Sequence, residues 1–299
     1  MQSVLDNLNS ILQRRTLVMG ILNVTPDSFS GDGLGSNVEA AVEQGHAMSR
    51  DGADILDVGG QSTRPGAATI PVEEELSRVI PVVSRLAAQD GPGSAISVDT
   101  NRSSVADAAL RAGAHIVNDI SGLRDDPAIA DVVAQHDAGL VVMHIQGTPA
   151  TMQVAPHYDD LLAEVIAYLR AAVDRAVAAG VRKERIWIDP GIGFGKTLEH
   201  NLELIRRLHE LEVLACPILV GTSRKGFIGR ILAPLNNGEP PPPQDRVAGT
   251  GATLAISIAN GANIIRVHDV APAVQVARVA DAIVRSTNAT TTLNAPIKY

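Results

Sequence analysis

The sequence predicts an α/β protein built as a (β/α)8 TIM barrel, with an extra N-terminal helix and a loosely ordered C-terminal tail. Two observations carry that prediction. The first is a recurring pattern: "DGADILDV" at 51–58, "AGAHIVND" at 112–119 and "NGANIIRV" at 260–267 share Gly-Ala-polar before a short apolar run, and "AGLVVMH" at 138–144 is a looser copy. Each copy follows a helix-like stretch, and Gly is favoured just past a helix end because it takes left-handed dihedrals at no steric cost. The pattern is therefore a helix-to-strand joint. The second is the count: filling the gaps between copies gives eight strand-plus-helix units, the rhythm of a closed parallel barrel. An open doubly wound sheet is the competing arrangement. Eight units with polar residues at the strand ends favour closure.

Along the chain, residues 3–13 form an amphipathic helix expected to cap the barrel bottom; 1–15 read as an N-terminal extension, 16–285 as the barrel and 286–299 as a tail. Strands are expected near 17–22, 54–58, 95–99, 115–118, 140–144, 186–189, 217–221 and 263–267. Helices are expected near 38–50, 72–88, 103–111, 127–136, 159–179, 197–212, 246–260 and 271–285. "NNGEPPPPQ" at 236–244 reads as a surface loop, since the same alternation continues beyond it. After the first strand comes a long polar stretch, "NVTPDSFSGDG". Pro26 cannot donate to a sheet ladder and biases Thr25 away from helix, so the strand ends there.

Composition narrows the function. Apolar residues make up 45% and aromatics only 2%, so the core must be built from Ala, Val, Ile and Leu, which suit a buried parallel sheet. The net charge of −8 argues against nucleic-acid binding, which needs basic surface. The single Cys216 excludes an internal disulfide and reads as a buried packing thiol. No stretch approaches a membrane span and no signal peptide is visible, so a cytoplasmic setting is expected.

Every expected strand ends in polar residues: Asn23, Asp57, Asp99, Asn118, His144, Asp189, the Ser223-Arg224-Lys225 group and Arg266-Val267-His268. Asp57, Asn118, His144 and Arg266 each fall five positions after the Gly of the repeat, which predicts equal height in the barrel. Catalytic groups of this fold gather at the C-terminal strand ends. Asp99, Asn118 and Asp189 suit a flat heterocycle with amide and amine edges. Arg64, Lys225, Arg266 and His268 suit phosphate or carboxylate. Asn23 and Asp57 are oxygen donors of the kind that hold Mg2+ together with substrate phosphates. The pocket reads as heterocycle below and polyphosphate at the mouth. "DPGIGFGKT" at 189–197 resembles a phosphate-cradling Gly loop but lacks the P-loop spacing. Phe194 either walls a ligand or packs. A Schiff base on Lys225 fits less well than anion binding. His144 reads as a core histidine before a site residue, and the other histidines form no metal constellation.

Several motifs resemble the dihydropteroate synthase family of pterin-binding enzymes: "MGILNVTPDSFS" (19–30), "DVGGQSTRPGA" (57–67), "SVDT" (97–100), "VND" (117–119), "DPGIGFGK" (189–196), "GTSRKGFIG" (221–229) and "RVHDV" (266–270). They occur in the family's order. The resemblance implies condensation of 6-hydroxymethyl-7,8-dihydropterin diphosphate with p-aminobenzoate. It implies that Asp99, Asn118, Asp189 and Lys225 bind the pterin, with Met143 and Phe194 near its ring. Asn23 would be the Mg2+ ligand and, with Arg266 and His268, the diphosphate site. Thr63, Arg64 and Pro65 would form a second loop that, with Phe29, makes the aminobenzoate site. Asn23, Arg64, Lys225, Arg266 and His268 are the implied catalytic set, and a homodimer is the implied assembly. Two positions depart from the family: Gly31 follows "DSFS" with Asp32 one place later, and Gly226 follows "SRK". A pterin-binding methyltransferase domain, a non-catalytic pterin binder and a structural barrel are the alternatives. The first needs neither the "NVTPDSF" loop nor the "SRK" group.

Overall fold

The structure is a computed structural model and describes residues 3–25, 34–62, 69–88 and 93–285. Phe29, Gly31, Asp32, Thr63, Arg64, Pro65 and the residues from Ser286 onward lie outside the described residues. Eight parallel strands form the sheet: β1 (Leu17–Asn23), β2 (Ile55–Gly59), β3 (Ala95–Asp99), β4 (Ile116–Asp119), β5 (Gly139–Met143), β6 (Ile186–Asp189), β7 (Leu219–Val220) and β8 (Ile264–Val267). They hydrogen-bond in the order β6-β5-β4-β3-β2-β1-β8-β7. A parallel bridge between Ile188 and Ile218 joins the two ends of that order, with the Ile188 N–H donating to the Pro217 carbonyl at 2.9 Å. The sheet is thus a closed barrel. Its weakest seam is at β7, two residues long where five were expected, because Pro217 brings an acceptor to the ladder but no donor.

Helices α1 (Val4–Leu12), α2 (Leu34–Arg50), α3 (Val72–Leu86), α4 (Ser103–Arg111), α5 (Ala128–Gln135), α6 (Leu161–Ala178), α7 (Leu198–Arg206), α8 (Gly226–Leu232), α9 (Val247–Ala259) and α10 (Val270–Val284) accompany the strands. The joint glycines of three copies behave as the repeat predicts: Gly52, Gly113 and Gly261 have φ of 100°, 111° and 103°. The fourth copy differs. There the left-handed residue is Asp137, at φ 52°, and Gly139 already belongs to β5. Two helical readings also needed revision. The stretch expected as one helix over 197–212 is α7 followed by a 3-10 helix, Leu208–Leu214. Leu208, Leu211 and Leu214 are all buried, and residues at a spacing of three eclipse one another at three residues per turn. The short α8 follows β7, where no helix was expected.

Strand alternation divides the apolar core. Val18, Leu22, Leu56, Val58, Ile96 and Val98 pack outward against the helices. Leu17, Met19, Ile55, Ala95, Ile116, Val141, Trp187, Leu219 and Ile264 pack together inside the barrel. Helix α1 closes that interior from below. Ser3 caps it in a reciprocal box with Asp6, and Leu5, Leu8 and Leu12 are buried against the inner residues. Cys216 is buried, and burial raises its thiol pKa, as a packing thiol requires. No helix among the described residues is long and apolar enough to cross a membrane.

Candidate active site at the strand ends

Two residues beyond the apolar layer the same strands turn polar. Ile55 is followed by Asp57, Ile116 by Asn118, Trp187 by Asp189 and Ile264 by Arg266. Period-two alternation keeps each pair on one face, so all four polar groups point into the barrel mouth. Arg266 reaches across to β2 and β3. Its Nε donates to Asp57 Oδ2 at 2.6 Å and its Nη2 to Asp99 Oδ2 at 2.7 Å. Asn118 Nδ2 donates to the same Asp57 oxygen at 3.0 Å. Burial pushes the Asp99 carboxyl up to about 7, with Arg266 pulling the other way. Burial also works against the charge on Arg266, but Asp57 and Asp99 more than offset it, so the guanidinium stays charged.

A second group forms on the β6 side. Asp189 is raised by burial and drawn back by Lys225, and Lys225 is lowered to about 8 by burial against the pull of Asp189. Lys225 donates to the Ile192 carbonyl, and its Nζ sits 4.4 Å from the centroid of the Phe194 ring. The "GIGFG" run that supplies both partners is bent by Gly191, Gly193 and Gly195, all at positive φ. A Cβ on Gly191 would lie 1.9 Å from the His144 carbonyl oxygen, and one on Gly193 would lie 2.9 Å from Lys225 Cδ. These glycines allow close backbone approach to the His144 carbonyl and the Lys225 stem; the resemblance to a phosphate cradle is only in glycine content. An apolar wall of Ile120, Met143, Ile145 and Met152 packs against Phe194. A mouth with three carboxylates, an amide and two half-buried cations can bind a polar planar ring beside an anion.

The family described as pterin binding enzyme matches residues 19–268. Dihydropteroate synthase of Synechocystis is 51% identical over 273 residues, which is 91% of each chain. The chain belongs to the dihydropteroate synthase family. Among solved structures, the Clostridium difficile dihydropteroate synthase determined with pteroic acid has a TM-score of 0.83 at 44% identity, covering 91% of this chain and 98% of that one. The Xanthomonas albilineans dihydropteroate synthase determined with 4-aminobenzoic acid has a TM-score of 0.81 at 46% identity, covering 91% and 94%.

The structure separates some residues that the sequence grouped. Arg224, named with Ser223 and Lys225 at the end of a strand, is held at φ 58° and paired with Asp269 at 2.8 and 2.5 Å, so its charge is committed to that carboxylate. His144 does not join the ring of strand ends. Met143 faces inward, and His144, next in alternation, packs its ring 4.8 Å from that of Tyr168 on α6. Its Nδ1 lies 2.9 Å from Lys196 Nζ, and burial lowers its pKa to about 2, so it is a neutral core imidazole. The equal spacing misled because the joint of this copy is Asp137 and not Gly139. Asp57, offered by the sequence as a cation ligand, already serves Arg266 and Asn118.

Three further groups lie beside the mouth without a signal of their own in the motifs, and Ser223, named with the strand-end group, takes a specific partner. The Ile192 carbonyl is backbone and leaves no trace in residue type. Ser223 takes the His268 N–H at 3.1 Å and faces its Nδ1 at 3.0 Å, fixing the ring. Buried Lys196, lowered to about 7 by burial, donates to the Phe194 carbonyl at 3.0 Å and so holds the loop. Ile120 follows "VND" directly and joins the apolar wall, with no polar atom on its side chain to mark it. At Gly226, where the family commonly carries a side chain, α8 begins and a Cβ would meet nothing within 4 Å.

Proposed function

We propose that this chain joins p-aminobenzoate to 6-hydroxymethyl-7,8-dihydropterin diphosphate, giving 7,8-dihydropteroate and diphosphate, a transferase step of folate biosynthesis. The observation that carries the reading is the convergence of Asp99, Asn118 and Asp189 with Lys225 and Arg266 at one end of the barrel. Carboxylates and an amide match the donors and acceptors of a pterin edge, and the cations suit a diphosphate. Pteroic acid and 4-aminobenzoic acid, the compounds named with the two related structures, agree with that substrate pair.

In this reading Asp99, Asn118, Asp189 and Lys225 hold the pterin, with Met143 and Phe194 against its ring. Asn23, Arg266 and His268 face the diphosphate. Thr63, Arg64, Pro65 and Phe29, outside the described residues, take the aminobenzoate side. The bond from the pterin methylene carbon to the diphosphate oxygen breaks first, and its electron pair leaves with the diphosphate. The ring shares the positive charge left on carbon. The arylamine nitrogen then forms the new C–N bond and gives its proton to solvent. No side chain becomes covalently attached. The cations stabilise the departing charge, and the carboxylate–amide set positions the ring.

Mg2+ is the cofactor the resemblance implies, and bound to the diphosphate it would offset charge as that group leaves. Asn23 ends β1 with its Oδ1 3.9 Å from where a Cβ on Gly59 would stand, and Asp99 Oδ2 is 3.8 Å from the same point. Among the described residues, no group of three or more His, Cys, Asp or Glu could hold a metal. Asp57 and Asp99 are already paired with Arg266. Asn23 is therefore the residue that would hold such an ion together with the substrate diphosphate. A homodimer is the proposed assembly. Exposed Ile231, Leu235 and Ile256 on the later helices support it, and sedimentation velocity checks it. The proposed setting is cytoplasmic.

The decisive assay incubates the protein with the pterin diphosphate, p-aminobenzoate and Mg2+. Diphosphate release in step with dihydropteroate is expected. No release, at any Mg2+ or aminobenzoate concentration, overturns the reading.

A further inference from the structure

We infer that Asp57 is a positioning residue that sets the donor and acceptor pattern of the pocket, by holding Arg266 and Asn118 on one carboxylate oxygen. The inference rests on the function proposed above and deepens it. Asp57 is fully buried, and both of its hydrogen bonds from other side chains arrive at Oδ2: Arg266 Nε at 2.6 Å and Asn118 Nδ2 at 3.0 Å. Its Oδ1 is buried and takes no partner among the described residues. The same is true of Ser97 Oγ, whose residue is the register partner of Asp57 on β3. A carboxylate fully withdrawn from water is costly unless it is paired. Asp57 occupies the position two residues beyond Ile55, where an aliphatic side chain would continue the apolar layer.

The two bonds have a chemical consequence. An amide side chain has two ends, and which end faces a ligand depends on what fixes the other. A carboxylate oxygen only accepts. By taking an Asn118 N–H, Asp57 turns the NH2 end of that amide inward and leaves its carbonyl to accept from a ring N–H. On the other side, Nε on Asp57 and Nη2 on Asp99 hold two edges of the Arg266 guanidinium plane and so fix its tilt toward the mouth. One oxygen thereby couples the group that reads the heterocycle to the cation that meets the diphosphate. In active sites, a displacement of about 1 Å in such groups costs on the order of 100-fold in rate.

The test is a set of double-mutant cycles on the full-length chain. Asp57→Asn is expected to lower kcat/KM for the pterin diphosphate about 100-fold, with the KM for p-aminobenzoate unchanged. Binding of 6-hydroxymethylpterin, which lacks the diphosphate, is expected to weaken about tenfold by calorimetry in Asp57→Asn. In an Asn118→Ala background the same change is expected to have no further effect on that binding, because its route to the ring is gone. Ser97→Ala, beside Asp57 but bonded to neither partner, is expected to match the wild type in both assays. Full additivity of Asp57→Asn with Asn118→Ala, or an equal loss in Ser97→Ala, overturns the inference and makes Asp57 a packing residue. If Asp57→Asn does not fold, side-chain hydrogen exchange in the wild type decides the matter. The Arg266 Nε–H and an Asn118 NH2 proton must be protected, and exchange at solvent rates overturns the proposal. Absence of diphosphate release by the wild type would sink the synthase reading alone, since the pterin-binding cycle still reads the positioning.

Discussion

The upper and lower halves of the barrel interior are built on the same strands, two residues apart, and their chemistry is opposite. Below, Ile55, Ile116, Trp187 and Ile264 pack with the α1 leucines. Above, Asp57, Asn118, Asp189 and Arg266 stand on the next inward positions. The lower half is stabilised by apolar burial, roughly 25 cal/mol per Å2, with no directional requirement. The upper half holds charges at 0–19% side-chain exposure, where only geometry keeps them from being a net cost. The difference teaches where specificity lies. The floor tolerates any well-packed apolar set, whereas the mouth tolerates only partners of the right sign at hydrogen-bond distance.

The sharpest way to break this contrast uses one strand. Arg266→Ala in β8 leaves the carboxylates of Asp57 and Asp99 buried without their cation. It is expected to lower turnover by about 1000-fold and to cost about 3–5 kcal/mol of stability. Diphosphate release and urea unfolding read the two effects. Ile264→Ala, two residues earlier, is expected to cost about 2–5 kcal/mol through the cavity it opens, with KM for both substrates unchanged. A kinetic change in Ile264→Ala as large as that in Arg266→Ala would show that the halves are one unit.

The pH dependence is smaller and belongs to the mouth alone, where two groups act with opposite sign. Asp99 rises from its ordinary 3.8 to about 7 in the folded chain, so between those values the native state binds the extra proton. Its contribution to stability is therefore present at low pH and is lost as pH rises from about 4 through 7. Asp99→Asn is expected to flatten that slope in urea midpoints taken at pH 5 and pH 8, and to weaken pterin binding. Lys225 runs the other way. Its native pKa of about 8 lies below the ordinary 10.5, so stability is gained as pH rises between the two. An unchanged slope in Asp99→Asn would move the buried proton elsewhere in the mouth. The smallest expected effect lies outside both halves: alkylation of Cys216, 7% exposed, should proceed only on unfolding and leave the activity of the folded chain unaltered.

The fold was legible because each joint carries its own signal. Gly52, Gly113 and Gly261 adopt the left-handed conformation that their place after a helix predicts. The break after α7 was less legible, because leucines at spacing three fit the edge of an α-helical stripe as well as a 3-10 face. Helix α8 has only seven residues, too few for a periodicity to stand out. In the site, residue types at strand ends pointed to Asp99, Asn118, Asp189, Lys225 and Arg266. They also pointed to Arg224, which a local ion pair turns elsewhere, while His144, read as a core histidine, packs against Tyr168.

The sequence by itself determined the barrel, its floor and the set of polar groups at its mouth, because strand period, helix stops and residue type are local properties. It also carried the family. Only the tertiary structure decided which of those groups meet. That Arg266 serves Asp57 and Asp99, 209 and 167 residues away in the chain, depends on β8 pairing with β1 and on how far each side chain reaches across the mouth. No spacing along one strand encodes a distance across the barrel, so the pairing of charges belongs to closure itself.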